Sequence, residues 1–317
     1  MNNSIQDFVS LVKKATTINR KSLTGNRGEG IICYNDDGSI KEINISSSFI
    51  SKMFYKGEKR NYCPRKIFVQ EIEKSILKSE PTESMLKGMY LECGLLGEGA
   101  DGKVVDDLPR HAKTGNKLTD QKRIDQHFDD WEMRKDIHGI IVVKEGPMKN
   151  VQVRQKVQWT YSKNKSITVW VYGTADLISP FKDKGVNIEM ACIDIKGTAD
   201  ITSTFGDYCW GNPEWIDTFQ MILYNRIYGL PVLYLVFDWS KNVAFKPVLV
   251  NTNINHPDPV MANKASLRII EMEQTVENCI DTLIEHDKNG WYANSNGGNC
   301  KNCNNYLCEE YGKIQEA

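Results

Sequence analysis

Apolar and polar positions change rhythm along this chain. Over residues 46–78 and 82–97 apolar side chains recur at three- and four-residue steps, the period of a helix with one buried face. From residue 151 to 196 the rhythm becomes alternating or continuous, as in strands. It predicts three consecutive strands, Val151–Tyr161, Ser166–Ile178 and Val186–Lys196, turned at Asn164-Lys165 and Lys184-Gly185. A helix follows, with Asn212 as its cap, Pro213 in its first turn and Gly229 as its stop. Val232–Trp239 and Phe245–Asn251 read as two more strands. A long amphipathic helix runs from about Pro257 to Asp287. Helix, three strands, helix, strand is the order of an α/β fold with a central mixed sheet flanked by helices.

The remaining segments carry weaker signals. Residues 1–45 read as a peripheral lead-in with a helical start and a turn at Asn35-Asp36-Asp37-Gly38. Within 46–78, Ser46 to Ser48 cap a first helix and Pro64 fits the first turn of a second. Residues 101–124 are polar and rich in Asp, Lys and Gly, and read as a loop; 125–137 return to helix, so the whole of 101–137 is an expected insertion. Residues 46–317 are expected to form a single domain, ending in a polar tail after Gly290 that holds three cysteines.

Composition removes some functions and leaves others open. The 317 residues are 40% apolar, enough for a real core, and 40 basic side chains face 41 acidic ones. A net charge of −1 gives no general support for nucleic-acid binding, so any basic surface is local. Lys52, Lys56, Lys59, Arg60, Arg65 and Lys66, interleaved with Phe54, Tyr55 and Tyr62, are one such run, or simply a solvated face. Asp7, Lys13 and Lys14 interrupt the start of the chain, and no apolar run reaches membrane-spanning length. A cytoplasmic protein with no membrane partner is expected. No Gly-x-x-x-x-Gly-Lys-Ser/Thr loop occurs, so no helicase motor is encoded here.

The candidate chemistry sits on the strands. Alternate side chains of a strand share a face, so Asp194 and Lys196 project together at the end of an apolar strand. Asp176 stands on the preceding strand with Trp170, Tyr172 and Thr174, and is expected at its end. Two carboxylates beside an ammonium suit a hard divalent cation and phosphodiester hydrolysis. The bland alternatives are a turn-forming Asp176 and a surface ion pair between Asp194 and Lys196. Gly197 is expected to let the backbone approach another group. On the helix over 82–97, Met85, Met89, Glu92 and Leu96 share a face expected to be buried. Glu92 there needs a partner or a metal, unless it lies solvated at the edge of that face. Gly88 is expected to bring this helix close to the sheet. Gln220 and Tyr224, four residues apart, share a face of the next helix.

Taken in order, Glu92, Gly173-Thr174-Ala175-Asp176, Ile193-Asp194-Ile195-Lys196 and Gln220-Met221-Ile222-Leu223-Tyr224 resemble the PD-(D/E)XK nuclease superfamily. The Gln-x-x-x-Tyr spacing is similar to its RecB-like branch, and the likeness spans residues 46–308. The resemblance implies a restriction-endonuclease-like core and an Mg²⁺- or Mn²⁺-dependent deoxyribonuclease, an exonuclease in end processing, recombination or replication, with a phage-type exonuclease among the kinds it resembles. It implies Asp176 and Asp194 as principal metal ligands, with Glu92 and the carbonyl of Ile195 completing the shell. Lys196 would act on the attacking water, and Gln220 and Tyr224 would position the site or the strand. DNA is the implied partner, with a helicase or recombination protein beside it. Glu92 departs from the pattern, since many RecB-like nucleases place a histidine there; an all-oxygen shell favours Mg²⁺.

Nine cysteines in a reducing compartment are more readily thiols or metal ligands than disulfides. Cys300-x-x-Cys303-x-x-x-x-Cys308 is a short ligand-like cluster that lacks a fourth member. Tyr62-Cys63-Pro64-Arg65-Lys66 resembles the N-terminal motif of AddB-type and CRISPR-associated nucleases that carry a [4Fe–4S] cluster. That resemblance joins Cys63 to Cys300, Cys303 and Cys308, although the last gap is one residue short. Four thiolates suit Zn²⁺ as well, and unligated thiols are the third reading. Two other functions stay open: a nuclease fold retained as a DNA-binding or assembly module, and a redox or zinc-binding regulator.

Overall fold

The computed structural model describes residues 30–55, 58–60, 62–74, 81–99, 104–110, 114–199, 201, 218–240 and 243–292. In chain order these form β1 (Ile32–Tyr34), β2 (Ile40–Ser46), α1 (Ser47–Met53), β3 (Phe54–Tyr55), β4 (Glu58–Lys59) and α2 (Pro64–Ile67), which runs on into a wider turn over Phe68–Ile72. Then come α3 (Glu83–Leu96), α4 (Thr119–Asp129), α5 (Trp131–His138), β5 (Val151–Trp159), β6 (Thr168–Asp183) and β7 (Val186–Thr198). The chain continues with α6 (Phe219–Tyr228), β8 (Val232–Asp238), β9 (Phe245–Val250) and α7 (Pro259–Asn289). Two compact units interleave along it. One takes residues 1–80, 157–171 and 273–317; the other takes 81–156 and 172–272.

The second unit carries β7, β8 and β9 of the mixed sheet, with most of β5 and β6. β6 and β7 pair antiparallel through a tight hairpin, with Asp183 opposite Val186. Lys184 and Gly185 turn it with φ of 42° and 86°. Positive φ at both central residues matches the right-handed twist of the strands, which is why a glycine stands there. β7 pairs parallel with β8, Asp194 opposite Tyr234, and β8 pairs antiparallel with β9. A parallel pair needs a crossover, and the connection that includes α6 supplies it. Both α3 and α6 pack on β7. Every residue of β8 is buried, as a central strand covered on both faces must be. Leu91, Leu95, Ile124, Trp131, Leu177, Ile193, Leu235 and Phe237 form its core. The expected α/β fold with a central mixed sheet flanked by helices is what the chain adopts.

Some expectations about these elements need correcting. The face that α3 buries carries Tyr90, Leu91, Leu95 and Leu96, whereas Met85 is 58% exposed. Apolar residues lie nearly all around this helix, so its period left the inward face ambiguous. A side chain at Gly88 would meet open space; the close approaches are made by Gly94, against the Phe128 ring, and by Gly197. The helix expected from 125 starts at Thr119 and breaks at Asp130 into two. β6 runs on to Asp183, so Asp176 lies in mid-strand rather than at an end. Asn212 and Pro213 lie outside the described residues, while Gly229 does stop α6 in the left-handed conformation.

In the first unit, residues 30–45 form the β1–β2 hairpin, not only a lead-in; its turn is the expected one, with Gly38 N–H donating to Asn35 C=O at 3.0 Å. The helical start expected before residue 30 lies outside the described residues. Ser46 caps α1 by accepting from Phe49 N–H at 3.1 Å. The helical reading of 46–78 fails over β3 and β4, which pair as a short hairpin, and holds again at Pro64, the first residue of α2. Tyr34 donates to Asp287 at 2.5 Å, and the rings of Phe68 and Trp291 lie 5.4 Å apart. No helix among the described residues is long and apolar enough to cross a membrane.

Gly197 gives a direct test of the packing behind the site. A β-carbon there would fall 2.2 Å from the Trp239 ring and 3.2 Å from Leu91. Gly197→Ala should cost about 1–3 kcal/mol in chemical denaturation, the usual range for overpacking a core. An unchanged midpoint would show that the ring moves aside freely.

Candidate functional site

The sheet and two helices bring together residues that are far apart in sequence. Asp194 sits on β7, where both faces are covered, and is only 3% exposed. A lone carboxylate at that depth is unstable unless compensated. Lys196, two residues on, puts Nζ 2.5 Å from Asp194 Oδ2. Oδ2 makes no directed hydrogen bond, so this contact is an ion pair. Lys196 Nζ also lies 5.6 Å from the centre of the Tyr234 ring on β8.

The α6 pair reaches into this arrangement from the side. Gln220 Nε2 donates to Asp194 Oδ1 at 3.1 Å, and Gln220 Oε1 receives Lys196 Nζ at 3.4 Å. The amide thus matches its negative end to the ammonium and its positive end to the carboxylate. Gln220 Nε2 also donates to the Tyr224 hydroxyl at 3.0 Å, and that hydroxyl donates to the carbonyl of Thr174 at 2.8 Å. Gly173 makes room for it, since a β-carbon there would lie 2.6 Å from the Tyr224 ring.

Asp176 enters from β6. Its Oδ2 accepts from the backbone N–H of Ile195 at 2.7 Å. Glu92 enters from α3 and is half-buried, at the edge of the helix's buried face. Glu92 Oε1 accepts from Gln152 Nε2 at 2.5 Å, and the same nitrogen lies 3.4 Å from Asp176 Oδ1. Glu92, Asp176, Asp194, Ile195, Lys196, Gln220 and Tyr224 therefore belong to one neighbourhood within one compact unit. Cys63 lies in the other unit, and Cys300, Cys303 and Cys308 lie outside the described residues.

The charges do not balance locally. Three carboxyl groups face one ammonium. Burial, then the charges of Asp194 and Glu92, push Asp176 well above the ordinary carboxylate range. Burial and Asp194 push Glu92 up to about 7, against the opposing pull of Lys196 and Gln152. Burial alone would lower the Lys196 pKa, but Asp194, Asp176 and Glu92 outweigh it and hold the ammonium charged. The neighbouring Cys192 thiol is pushed up by burial and by both aspartates, so it remains neutral.

A hard cation would find oxygen ligands and an excess of carboxylate charge here, with Asp194 Oδ2 already paired to the Lys196 ammonium. Among the described residues no group of three or more His, Cys, Asp or Glu side chains is placed to hold a metal ion. All three acids are engaged by amide donors: Glu92 by Gln152 Nε2, Asp176 by the Ile195 N–H and Asp194 by Gln220 Nε2.

Two participants escaped the sequence reading. Gln152 has no periodic signal, because its contact with Glu92 follows from a left-handed backbone with φ of 50°. Tyr228 was legible: it extends the Gln220–Tyr224 spacing by another four residues. Its hydroxyl accepts from Ala175 N–H at 3.0 Å and lies 2.6 Å from the Val153 carbonyl, steadying β6 one residue before Asp176.

The raised carboxyls set a pH dependence with a definite sign. A folded Glu92 with a pKa of about 7 binds a proton that the unfolded chain releases near its ordinary 4.5. The folded state then holds more protons between those values, so this group's contribution to stability falls as pH rises through that window. In chelator, the melting temperature of wild type relative to Glu92→Gln should decline from pH 5 to pH 7. A difference that is flat or rises with pH would contradict the assignment.

No protein-family model matches the chain, and no curated protein does. Among solved structures, the chain is similar to a crystal structure named "Putative exonuclease" from Eubacterium rectale, with 14% sequence identity and a TM-score of 0.47, over 78% of this chain and 82% of that one.

Proposed function

We propose that this chain is a metal-dependent deoxyribonuclease that hydrolyses phosphodiester bonds, as an exonuclease of the RecB-like PD-(D/E)XK kind. One observation carries the reading: carboxyl groups from three different elements converge with a lysine, in excess of the charge that the lysine can offset. Asp176 and Asp194 would hold the cation, with Glu92 and the Ile195 carbonyl as further oxygen ligands. A bound Mg²⁺ or Mn²⁺ supplies charge stabilisation and lowers the pKa of water.

The protein's own groups divide the remaining work. Hydrolysis forms a phosphorus–oxygen bond from water and breaks the one to the leaving sugar oxygen. Negative charge gathers on the phosphate oxygens meanwhile. Lys196, kept protonated by its acidic neighbours, suits the role of an electrostatic donor to those oxygens better than that of a base. Gln220 fixes the Asp194–Lys196 pair at both ends of its amide, and Tyr224 ties Gln220 to β6. Lysine and arginine side chains around the site would hold the DNA backbone through its phosphates.

The proposal extends to a cysteine-held group in the first unit. Cys63 has a half-buried side chain just before α2. Arg65 N–H donates to the Tyr292 carbonyl at 3.2 Å, so residues 63–65 lie beside the segment that leads towards Cys300. This supports Cys63 joining Cys300, Cys303 and Cys308 around a [4Fe–4S] cluster, with Zn²⁺ as the alternative occupant. The cluster would serve as a clamp, closing a very long loop.

Digestion of end-labelled linear and closed circular DNA with Mg²⁺ or Mn²⁺ tests the enzyme. Linear DNA should be degraded, circles spared, and Asp194→Ala should lower the rate by at least about 10³, the scale for loss of a group essential to charge stabilisation. DNA binding without cleavage, unaffected by chelator, would make this a non-catalytic module instead. Anaerobically purified protein should be brown, with about four iron and four sulfide per chain by the cluster's stoichiometry; Cys63→Ser should bleach it. Zinc without iron would reassign the occupant.

A further inference from the structure

Gln152 combines two costly features beside the acidic cluster. Its backbone φ is 50°, in the left-handed region that non-glycine residues rarely adopt. Its side-chain oxygen is buried without a hydrogen-bond partner. Either feature costs stability unless the surroundings enforce it or something else uses it.

The surroundings enforce the backbone. Asn150, two residues earlier, donates through Nδ2 to the carbonyls of Ile141 (2.9 Å) and Ile178 (2.8 Å), and its Oδ1 accepts from Val143 N–H at 2.7 Å. Its own carbonyl accepts from Ile178 N–H at 2.9 Å. Val151 is 1% exposed and anchors the next position in the core. With residues 150 and 151 fixed, the left-handed step at Gln152 accompanies a side chain directed at Glu92 and Asp176.

The orientation of the amide follows from its neighbours. With a cation bound both carboxyls are ionised and only accept hydrogen bonds, so the nitrogen faces them, as it does towards Glu92 Oε1 and Asp176 Oδ1 here. The oxygen is then the atom left over, buried at the edge of an oxygen-rich cluster with excess negative charge. A carbonyl oxygen in such a place lacks a donor. Small hard cations keep several of their waters when bound by carboxylates, and those waters are donors.

Building on the proposed metal-dependent chemistry, we infer that Gln152 is a positioning residue of the cation site. Its Nε2 holds Glu92 and Asp176 at a set separation, and its Oε1 accepts a hydrogen bond from a water of the cation's shell. Supporting residues of this kind orient ligands without being ligands, and their loss commonly weakens metal binding by about 10–100-fold.

The test measures metal uptake without DNA. Free Mn²⁺ is followed by electron paramagnetic resonance during titration of the whole protein, for wild type, Asp194→Asn, Gln152→Leu and Gln152→Asn. Leucine removes both polar atoms and keeps the bulk. Asparagine keeps the amide and tolerates positive φ, but is one methylene too short to span the gap. Circular dichroism confirms folding of each variant. Wild type should bind, Asp194→Asn should lose binding, and both Gln152 variants should bind about tenfold or more weakly. Wild-type affinity in either folded Gln152 variant overturns the inference and leaves the nuclease reading intact. No uptake by wild type overturns the metal site itself, and the inference with it.

Discussion

Repulsion among buried carboxylates is the constraint around which this unit is arranged. Asp194 lies in the buried stretch of β7, and its charge raises the proton affinity of both Asp176 and Glu92. A fold has no stability reason to assemble such a group. Each neighbour of the cluster can be read as a response to it: an ammonium on the same strand, a glutamine that meets ammonium and carboxylate together, a second glutamine between two acids, and a backbone N–H on Asp176. These contacts soften the repulsion without cancelling it. The residue of uncompensated charge is what the proposed cation would offset.

The compensation is layered. Lys196 and Gln220 act on Asp194 directly. Tyr224 acts on Gln220, and the missing side chain of Gly173 allows Tyr224 to lie against the strand. Tyr228 repeats the device one helical turn on, against the backbone of β5 and β6. Three polar side chains spaced by four on α6 thus meet the sheet where two of its strands carry aspartates. Apolar contacts on the same helix, with Met221, Ile222 and Leu223 buried, hold it in place.

What could be read from the sequence followed from short-range regularities. Alternation marked β6 and β7, Lys184-Gly185 marked their hairpin, and the i, i+4 step marked Gln220 with Tyr224. The hidden parts depended on long-range packing. Met85 took the exposed side of α3 because Leu91 and Leu95 fit the core better, a choice made by the sheet and not by the helix's own period. Gly88 looked like a contact point, yet Gly94 and Gly197 make the contacts, because glycine identity says nothing about what stands opposite. Gln152 was invisible for a related reason. Its direction is set by Asn150 bonding to residues 141, 143 and 178, and no local pattern encodes that bracket.

The β6–β7 hairpin has a bearing on how the chain reaches this state. Hairpins with tight turns close within microseconds, while contacts that wait for distant segments come later. Asp176 and Asp194 lie on the two strands of this hairpin, so they can meet without α6 or α3. At that stage the hairpin must tolerate its own acids. Lys196 travels on the same strand as Asp194, so its counter-charge arrives with the aspartate and not after it. Carrying base and acid on one strand thus protects the nascent hairpin as well as the finished site.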